Sequence, residues 1–191
     1  MRVLVTAGGT REPIDDVRVI ANSSTGRLGA ELADALATAG HDVLLLHGSH
    51  AQRPAHPDVR CLAFGPSAGL GELLRAHVPS QAAVVHAAAV TDFVPDRAVG
   101  KISSDVDELQ LRLTRAPKLI DELRDLAPTA LLVGFKLTSG LTAEERGRIV
   151  AALLERARLD LVVSNDAARI GDDHEAWLVG RDGTSQHAVG K

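Results

Sequence analysis

The sequence predicts a doubly wound α/β fold, with a mostly parallel, Rossmann-like sheet, helices on both faces and a β-hairpin near the C-terminal end. Three observations predict it. Short runs rich in Val, Leu and Ala alternate with longer segments of helical period. The run AAVVHAAAV at 82–90 is apolar almost throughout, as a strand covered on both faces must be. Finally, 191 residues with 45% hydrophobic and 24% charged side chains can supply a real core and a polar surface. Strands separated by helices need right-handed crossovers, which set the strands parallel and lay helices on the sheet. No linker, repeat or low-complexity tract divides the chain, so residues 1–191 are treated as one domain.

Residues 2–6 (RVLVT) read as the first buried strand, and residues 26–40 as a helix closed by Gly40. Strands follow at 42–48 and 59–64, a helix at 67–78, and the apolar strand at 82–90. LQLRLT, from Leu109, alternates like a half-buried strand. Next come a helix over 116–127 and a buried strand over 130–135. A helix over 142–159 opens on Thr142, with Glu145 three residues later completing a capping box. DLVVSND is a further strand, and residues 175–191 form a hairpin around Asp182-Gly183. The chain stops where a terminal helix would be natural, leaving open whether one is missing.

Composition removes several classes of function. The 21 basic and 25 acidic residues give a net charge of -4 with no basic run, which disfavours a nucleic-acid partner. No apolar stretch has bilayer length and no basic segment precedes one at the start, so a membrane and export are both disfavoured. Cys61 is the single cysteine, which fits a reducing cytoplasm and rules out an internal disulfide. There is no tyrosine, so no mechanism can use one. The eight histidines lack HxH or HxxxH spacing, so protein ligands to a metal are not expected.

In such sheets ligands collect at the carboxyl ends of the strands, where loop amides and helix N-termini converge. The loops TAGGTREP, HAAAVTDF, GKISS, GFKLTSG and SND are therefore the candidates. Gly8 and Gly9 can bring backbone N–H groups against a phosphate and Thr10 adds a hydroxyl, although the same residues also make a plain tight turn. The helix does not follow this turn directly. It is delayed by an insertion and starts at Ser24, Thr25 and Gly26, a second place to hold an anion. Two anion cradles thus face one crevice.

A nicotinamide dehydrogenase is the competing α/β reading. It is opposed by the missing GxGxxG, by His47-Gly48-Ser49 where an acidic residue would hold the ribose, and by the lack of tyrosine. Lys101 is either a solvated loop lysine or a cation that closes over a polyphosphate. Lys136, read as directly following a buried strand, either snorkels to the surface or reaches a ligand. Asp92 either caps the next segment or holds a ribose hydroxyl, and Asn165 either opens an Asx-turn or touches the ligand. Together these residues are equipped to hold charge rather than to supply a covalent nucleophile.

VTAGGTREPIDDVRVIANSSTGRLG, AAAVTDF, GKISS, APKLI, GFKL and VVSND, in that order, resemble the phosphopantothenoylcysteine synthetase (phosphopantothenate–cysteine ligase) family over nearly the whole chain. The start at Met1 looks like the stand-alone synthetase, with no flavin in this chain. The resemblance implies a ligase of coenzyme A biosynthesis that uses 4'-phosphopantothenate, cysteine and a nucleoside triphosphate. CTP is favoured over ATP by analogy with bacterial members, and Mg2+ would be carried by the phosphates. It implies a cytoplasmic homodimer and a separate decarboxylase acting next in the pathway.

Residue by residue, it places Gly8, Gly9 and Thr10 at the nucleotide phosphates, Asp92 near the ribose, and Phe135 with the backbone of Ala88 at the base. Lys101 falls on the family's flap as a catalytic residue. Asn22 falls on the amide associated with the acyl group and the second half-reaction, and Arg18 on the substrate and dimer contact. Ser23 and Arg27 depart from the family's usual residues, a change that bears on substrate affinity. A nucleotide-binding module of this fold that lacks catalysis is the alternative.

Overall fold

The computed structural model describes residues 1–169 and 175–189. Its central sheet has eight strands among the described residues: β1 (Arg2–Ala7), β4 (Asp42–Gly48), β5 (Arg60–Phe64), β6 (Ala83–His86), β9 (Leu131–Thr138), β10 (Leu161–Asp166), β11 (Glu175–Gly180) and β12 (Ser185–Val189). Their spatial order is β12-β11-β10-β9-β6-β1-β4-β5. Six strands are parallel, and β11 and β12 add to the edge in antiparallel fashion. From β1 the chain moves outward to β4 and β5, then returns to the other side of β1 as β6. The strand order therefore reverses between β1 and β6, and a crevice opens above their carboxyl ends.

The α-helices among the described residues are α1 (Arg27–Thr38), α2 (Ser67–His77), α3 (Leu119–Leu126) and α4 (Ala143–Arg156). Right-handed crossovers sort them by direction of travel. One core layer joins α2, α3 and α4 to the sheet through Leu74, Leu123, Leu154 and Val162. The other joins α1 to the opposite face through Ala33, Val5 and Leu45. The capping box on α4 is present in full, with the Glu145 N–H on Thr142 Oγ1 at 3.3 Å and the Thr142 N–H on Glu145 Oε2 at 2.9 Å. The predicted hairpin turns at Asp182-Gly183, with Gly183 at φ +84°. Gly190 and Lys191, also assigned to that hairpin, lie outside the described residues. No described helix is long and apolar enough to cross a membrane.

Two expectations need correction. The strand predicted over 82–90 is Ala83–His86 (β6) alone, because 87–90 leave the sheet for the loop beside the diglycine, keeping one bridge between Ala89 and Gly9. LQLRLT is not a strand of the main sheet: only Leu113–Arg115 (β8) pairs, antiparallel to Phe93–Pro95 (β7), in a separate ribbon. The inserted segment after β1 forms a second ribbon, β2 (Arg11–Pro13) with β3 (Val19–Ala21).

The contact between α1 and β1 fixes where the first helix begins. A β-carbon on Gly29 would lie 2.5 Å from Ala7 Cβ and 3.3 Å from the Thr6 carbonyl oxygen. Alanine is the better helix former by about 1 kcal/mol, yet this clash is with rigid atoms and overpacking costs about 1–3 kcal/mol. Gly29→Ala is therefore expected to lower stability in urea denaturation. Gly69→Ala, in α2 with nothing within 4 Å of the new carbon, should raise it.

Candidate functional site

The crevice is built from the loops after β1 and β6, which run side by side. The Ala89 N–H donates to the Gly8 carbonyl at 2.8 Å, the Thr10 N–H to the Ala89 carbonyl at 3.2 Å, and Gly9 and Ala89 form a parallel bridge. Beneath them the Thr6 hydroxyl accepts the Ala88 N–H at 3.0 Å and lies 3.1 Å from His86 Nδ1. Burial pushes the His86 imidazole down to about 4, so the ring is neutral at pH 7 and serves as a hydrogen-bonded support.

The Ser-Thr-Gly start of α1 packs directly on the diglycine. Gly8 has φ +80° and Gly26 φ +76°. A β-carbon on either would fall within 2.6 Å of Ala51 Cβ, and one on Gly26 would lie 3.2 Å from the Gly8 nitrogen. Side chains are excluded here because each glycine abuts the Ala51 methyl and a neighbouring backbone. No side chain of the Gly26 cap serves α1 and no acidic residue stands in its first turn. The Arg27 N–H is taken up by the Thr25 hydroxyl, and the N–H groups of Leu28 and Gly29 are the ones an anion would meet.

Asn22 completes this floor. Its side-chain amide donates to the Ala89 carbonyl at 3.2 Å, and its own carbonyl would be 2.7 Å from a β-carbon on Gly9. The diglycine loop and the segment from Asn22 to Gly26 therefore meet within one chain.

Thr10 has a different place from that expected. It is fully buried and its hydroxyl accepts the Thr91 N–H at 3.1 Å, which ties the two loops together. Ser24 is half-buried and its N–H closes a turn on the Asn22 carbonyl at 2.9 Å. The Thr25 hydroxyl accepts the Arg27 N–H at 3.4 Å.

The segment carrying Lys101 is fastened to the β2–β3 ribbon by Asp15. The Asp15 carboxylate accepts N–H groups from Val17 (2.8 Å), Arg18 (2.7 Å) and Ile102 (3.1 Å), and the Arg18 guanidinium at 2.5 Å. Arg18 also donates to the Ile102 carbonyl at 3.2 Å. Burial pushes the Asp15 carboxyl up, but the donors from Val17, Ile102 and Arg18 prevail and hold it down at about 2. Lys101 is exposed between Gly100, whose carbonyl accepts the Asp16 N–H, and Ile102.

Asp92 is exposed and its carboxylate pairs with Lys118, the residue that opens α3. Phe135, Lys136 and Asn165 sit near the carboxyl ends of β9 and β10, on the same edge of the sheet as the diglycine. Lys136 is inside β9, which runs on to Thr138, rather than directly after it. It faces the α4 side, whereas Phe135 packs on the α1 side. Asn165 is a strand residue whose carbonyl accepts the Thr138 hydroxyl at 3.1 Å.

Sequence reasoning missed Asp15, Lys118 and Asp166. Asp166 accepts the N–H groups of Gly140 and Ala168, which shapes the loop after β9. Sequence reasoning also took a Gly-x-Ser-x-Gly pattern to be absent, whereas Gly65–Gly69 is one. There the Ser67 N–H donates to Glu12 at 2.8 Å, and Ser67 is only 8% exposed with no histidine on its hydroxyl among the described residues. It starts α2 and is not placed as a nucleophile.

The family model for the DNA/pantothenate metabolism flavoprotein C-terminal domain matches residues 1–190. The coenzyme A biosynthesis bifunctional protein CoaBC of Thermococcus kodakarensis is 38% identical over 185 residues, covering 95% of this chain and 45% of that protein. The crystal structure of the DNA/pantothenate metabolism flavoprotein from Streptococcus pneumoniae superposes with a TM-score of 0.93 at 29% identity, covering 100% of this chain and 93% of that one. A Cab2 mutant in complex with phosphopantothenate-cysteine shares the fold, with a TM-score of 0.82 at 20% identity over 100% of this chain and 80% of that one. The chain spans about half the length of the curated relatives it matches.

Proposed function

Because the chain belongs to the DNA/pantothenate metabolism flavoprotein C-terminal domain family, we propose that it is a phosphopantothenate–cysteine ligase of coenzyme A biosynthesis. In the first step a carboxylate oxygen of 4'-phosphopantothenate attacks the α-phosphorus of a nucleoside triphosphate. Pyrophosphate leaves and an acyl-nucleotide forms. In the second step the cysteine amine attacks the acyl carbon, loses a proton, and expels the nucleoside monophosphate. Both steps depend on position and charge neutralisation, which amide-lined loops can supply without a covalent nucleophile.

The observation that carries this reading is the meeting of the diglycine loop, Asn22 and the uncapped start of α1 on one floor. The amides of Gly8 and Gly9 would hold phosphate oxygens, Lys101 would offset triphosphate charge, and Ser24, Thr25, Gly26 and Arg18 would hold the acid substrate. Asp92, Ala88, Phe135, Lys136 and Asn165 would line the nucleoside. CTP is proposed as the nucleotide on the resemblance to bacterial members. Mg2+ would enter on the phosphates, since no group of three or more His, Cys, Asp or Glu among the described residues is placed to hold a metal. The product carries the cysteine carboxylate, which a decarboxylase would remove next. The single, partly buried Cys61 supports a cytoplasmic setting.

Pyrophosphate release that requires both phosphopantothenate and cysteine tests this reading, and a comparison of CTP with ATP tests the nucleotide. Asn22→Ala removes a neutral donor from the acyl site, so turnover should fall roughly 100- to 1,000-fold. Acyl-nucleotide should accumulate if the loss falls on the second step, as mass spectrometry of the quenched reaction would show.

A homodimer through the ribbons is also proposed. Val17, Val19, Phe93 and Leu113 expose 64%, 40%, 47% and 44% of their surface there, the kind of apolar concentration that a partner covers. Phe93→Asp should shift the sedimenting species toward monomer. A variant that stays dimeric would remove the ribbon from the interface.

A further inference from the structure

Away from these loops, a groove of about 470 Å³ lies between α4 and the β11–β12 hairpin, within the range of small-molecule sites. None of the residues assigned above to substrate or nucleotide lines it. In-register pairing places Ser164, Trp177 and His187 side by side on three neighbouring strands, and so on one face of the sheet. The Trp177 ring stacks on His187, with centroids 5.1 Å apart, and the Arg146 guanidinium lies 3.6 Å from its ring centroid. Trp177 is thus held in place, and Arg146 is spread flat with its N–H edge free, since it makes no ion pair among the described residues.

Beside them, Ser164 is 0% exposed and its hydroxyl has no hydrogen-bond partner among the described residues. A buried hydroxyl without a partner is costly, and this one lines the groove at the end where Arg146 stands. The other end is apolar, walled by Val150, Leu154 and Val179. Of the charged residues that line the groove, Glu155 and Arg181 offset each other and leave Arg146. Next to the lining, Lys136 is in register with Ser164 on β9, and Glu175 pairs with His187 at 3.5 Å.

We propose that this groove binds a small amphipathic carboxylate. The carboxylate would lie on the guanidinium edge of Arg146 and accept the Ser164 hydroxyl, and the hydrocarbon would lie along Val150, Leu154 and Val179. Two donors and one positive charge meet at one end of an otherwise apolar space, which selects an anionic head on an apolar body over a neutral or cationic one.

The proposal stands apart from the ligase reading, and its test needs no turnover. Trp177 is the chain's one tryptophan and there is no tyrosine, so intrinsic fluorescence reports the groove directly. Octanoate titrated into the full chain should change that fluorescence saturably, whereas octylammonium and octanol should not. Arg146→Gln should raise the octanoate Kd tenfold or more. Ser164→Ala should raise it severalfold while raising the Tm of the free protein, because it removes the unpaired hydroxyl. Ser164→Ala also covers the case in which Arg146→Gln disturbs the fluorophore. No saturable response to octanoate, an equal response to octanol, or unchanged affinity in both variants would each overturn the proposal.

Discussion

A Gly9→Ala protein is expected to fold and to turn over roughly 100-fold more slowly than the parent. Its new β-carbon would stand 2.7 Å from the Asn22 carbonyl oxygen, a backbone atom that cannot swing aside. On the other side the loop is held to the β6 loop by the bonds between Gly8, Thr10 and Ala89. The gap must therefore open between the diglycine and Asn22, and the bond from the Asn22 amide to the Ala89 carbonyl goes with it. Overpacking of this kind costs about 1–3 kcal/mol, less than the ~5–15 kcal/mol that holds a typical domain together. Catalysis is less tolerant, because a misplacement of about 1 Å can cost 100-fold. Pyrophosphate release at saturating substrates reads the loss, and urea denaturation reads the folding cost. Gly65→Ala, with nothing within 4 Å of the added carbon, is the control. Turnover within twofold of the parent would mean that the two loops need not touch to work.

The same loops show what a sequence can and cannot reveal. The strands of the central sheet were legible because burial on both faces demands apolar runs, although the run at 82–90 overstated its strand, which is buried only over Ala83–His86 before the chain turns into the site loop. The delay between β1 and α1 was legible too, since the helical apolar period starts only at Gly26, well beyond the diglycine turn, whereas the ribbon in between was not. LQLRLT misled because alternation reports two faces without saying which sheet they belong to. Leu109, Leu111 and Leu113 are 45%, 38% and 44% exposed, so the apolar face belongs to a ribbon surface rather than to the core. Thr10 was assigned to a ligand because a hydroxyl beside two glycines suits a phosphate, and nothing local shows that Thr91 takes it first. Lys118 and Asp15 were invisible for another reason. Their partners, Asp92 and Ile102, lie 26 and 87 residues away; pairing of β7 with β8 brings Lys118 to Asp92, and the approach of that ribbon's loop to the β2–β3 turn brings Ile102 to Asp15.

Asp15→Asn should test whether that packing serves the reaction, with turnover expected to fall at least about tenfold. The carboxylate has four donors to satisfy: three N–H groups and the Arg18 guanidinium. Asparagine offers one acceptor oxygen, so its amino group must face either Ile102 or the turn at Val17 and Arg18, donor against donor. Because Ile102 follows Lys101 directly, the lysine's segment would lose its hold on the ribbon that leads into Asn22. Lys101→Gln makes the comparison. Lys101 is exposed and forms no ion pair among the described residues, so that variant should lose turnover with little change in Tm, whereas Asp15→Asn should lose both.

The stability difference between parent and Asp15→Asn should also depend on pH in one direction. The folded carboxyl titrates at about 2 against an ordinary value of 3.8. Its contribution is therefore complete above the unfolded value and disappears as pH falls through the folded one. Melting curves of the two proteins should differ by a constant amount from neutral pH down to about 5, then converge as pH approaches about 2. His86 also titrates away from its usual value, but both proteins keep it and it drops out of the difference. A gap that persists unchanged at pH 2 would show that Asp15 acts by shape alone. A lower Tm with full turnover would show that the ribbon need not hold Lys101 for the reaction to proceed.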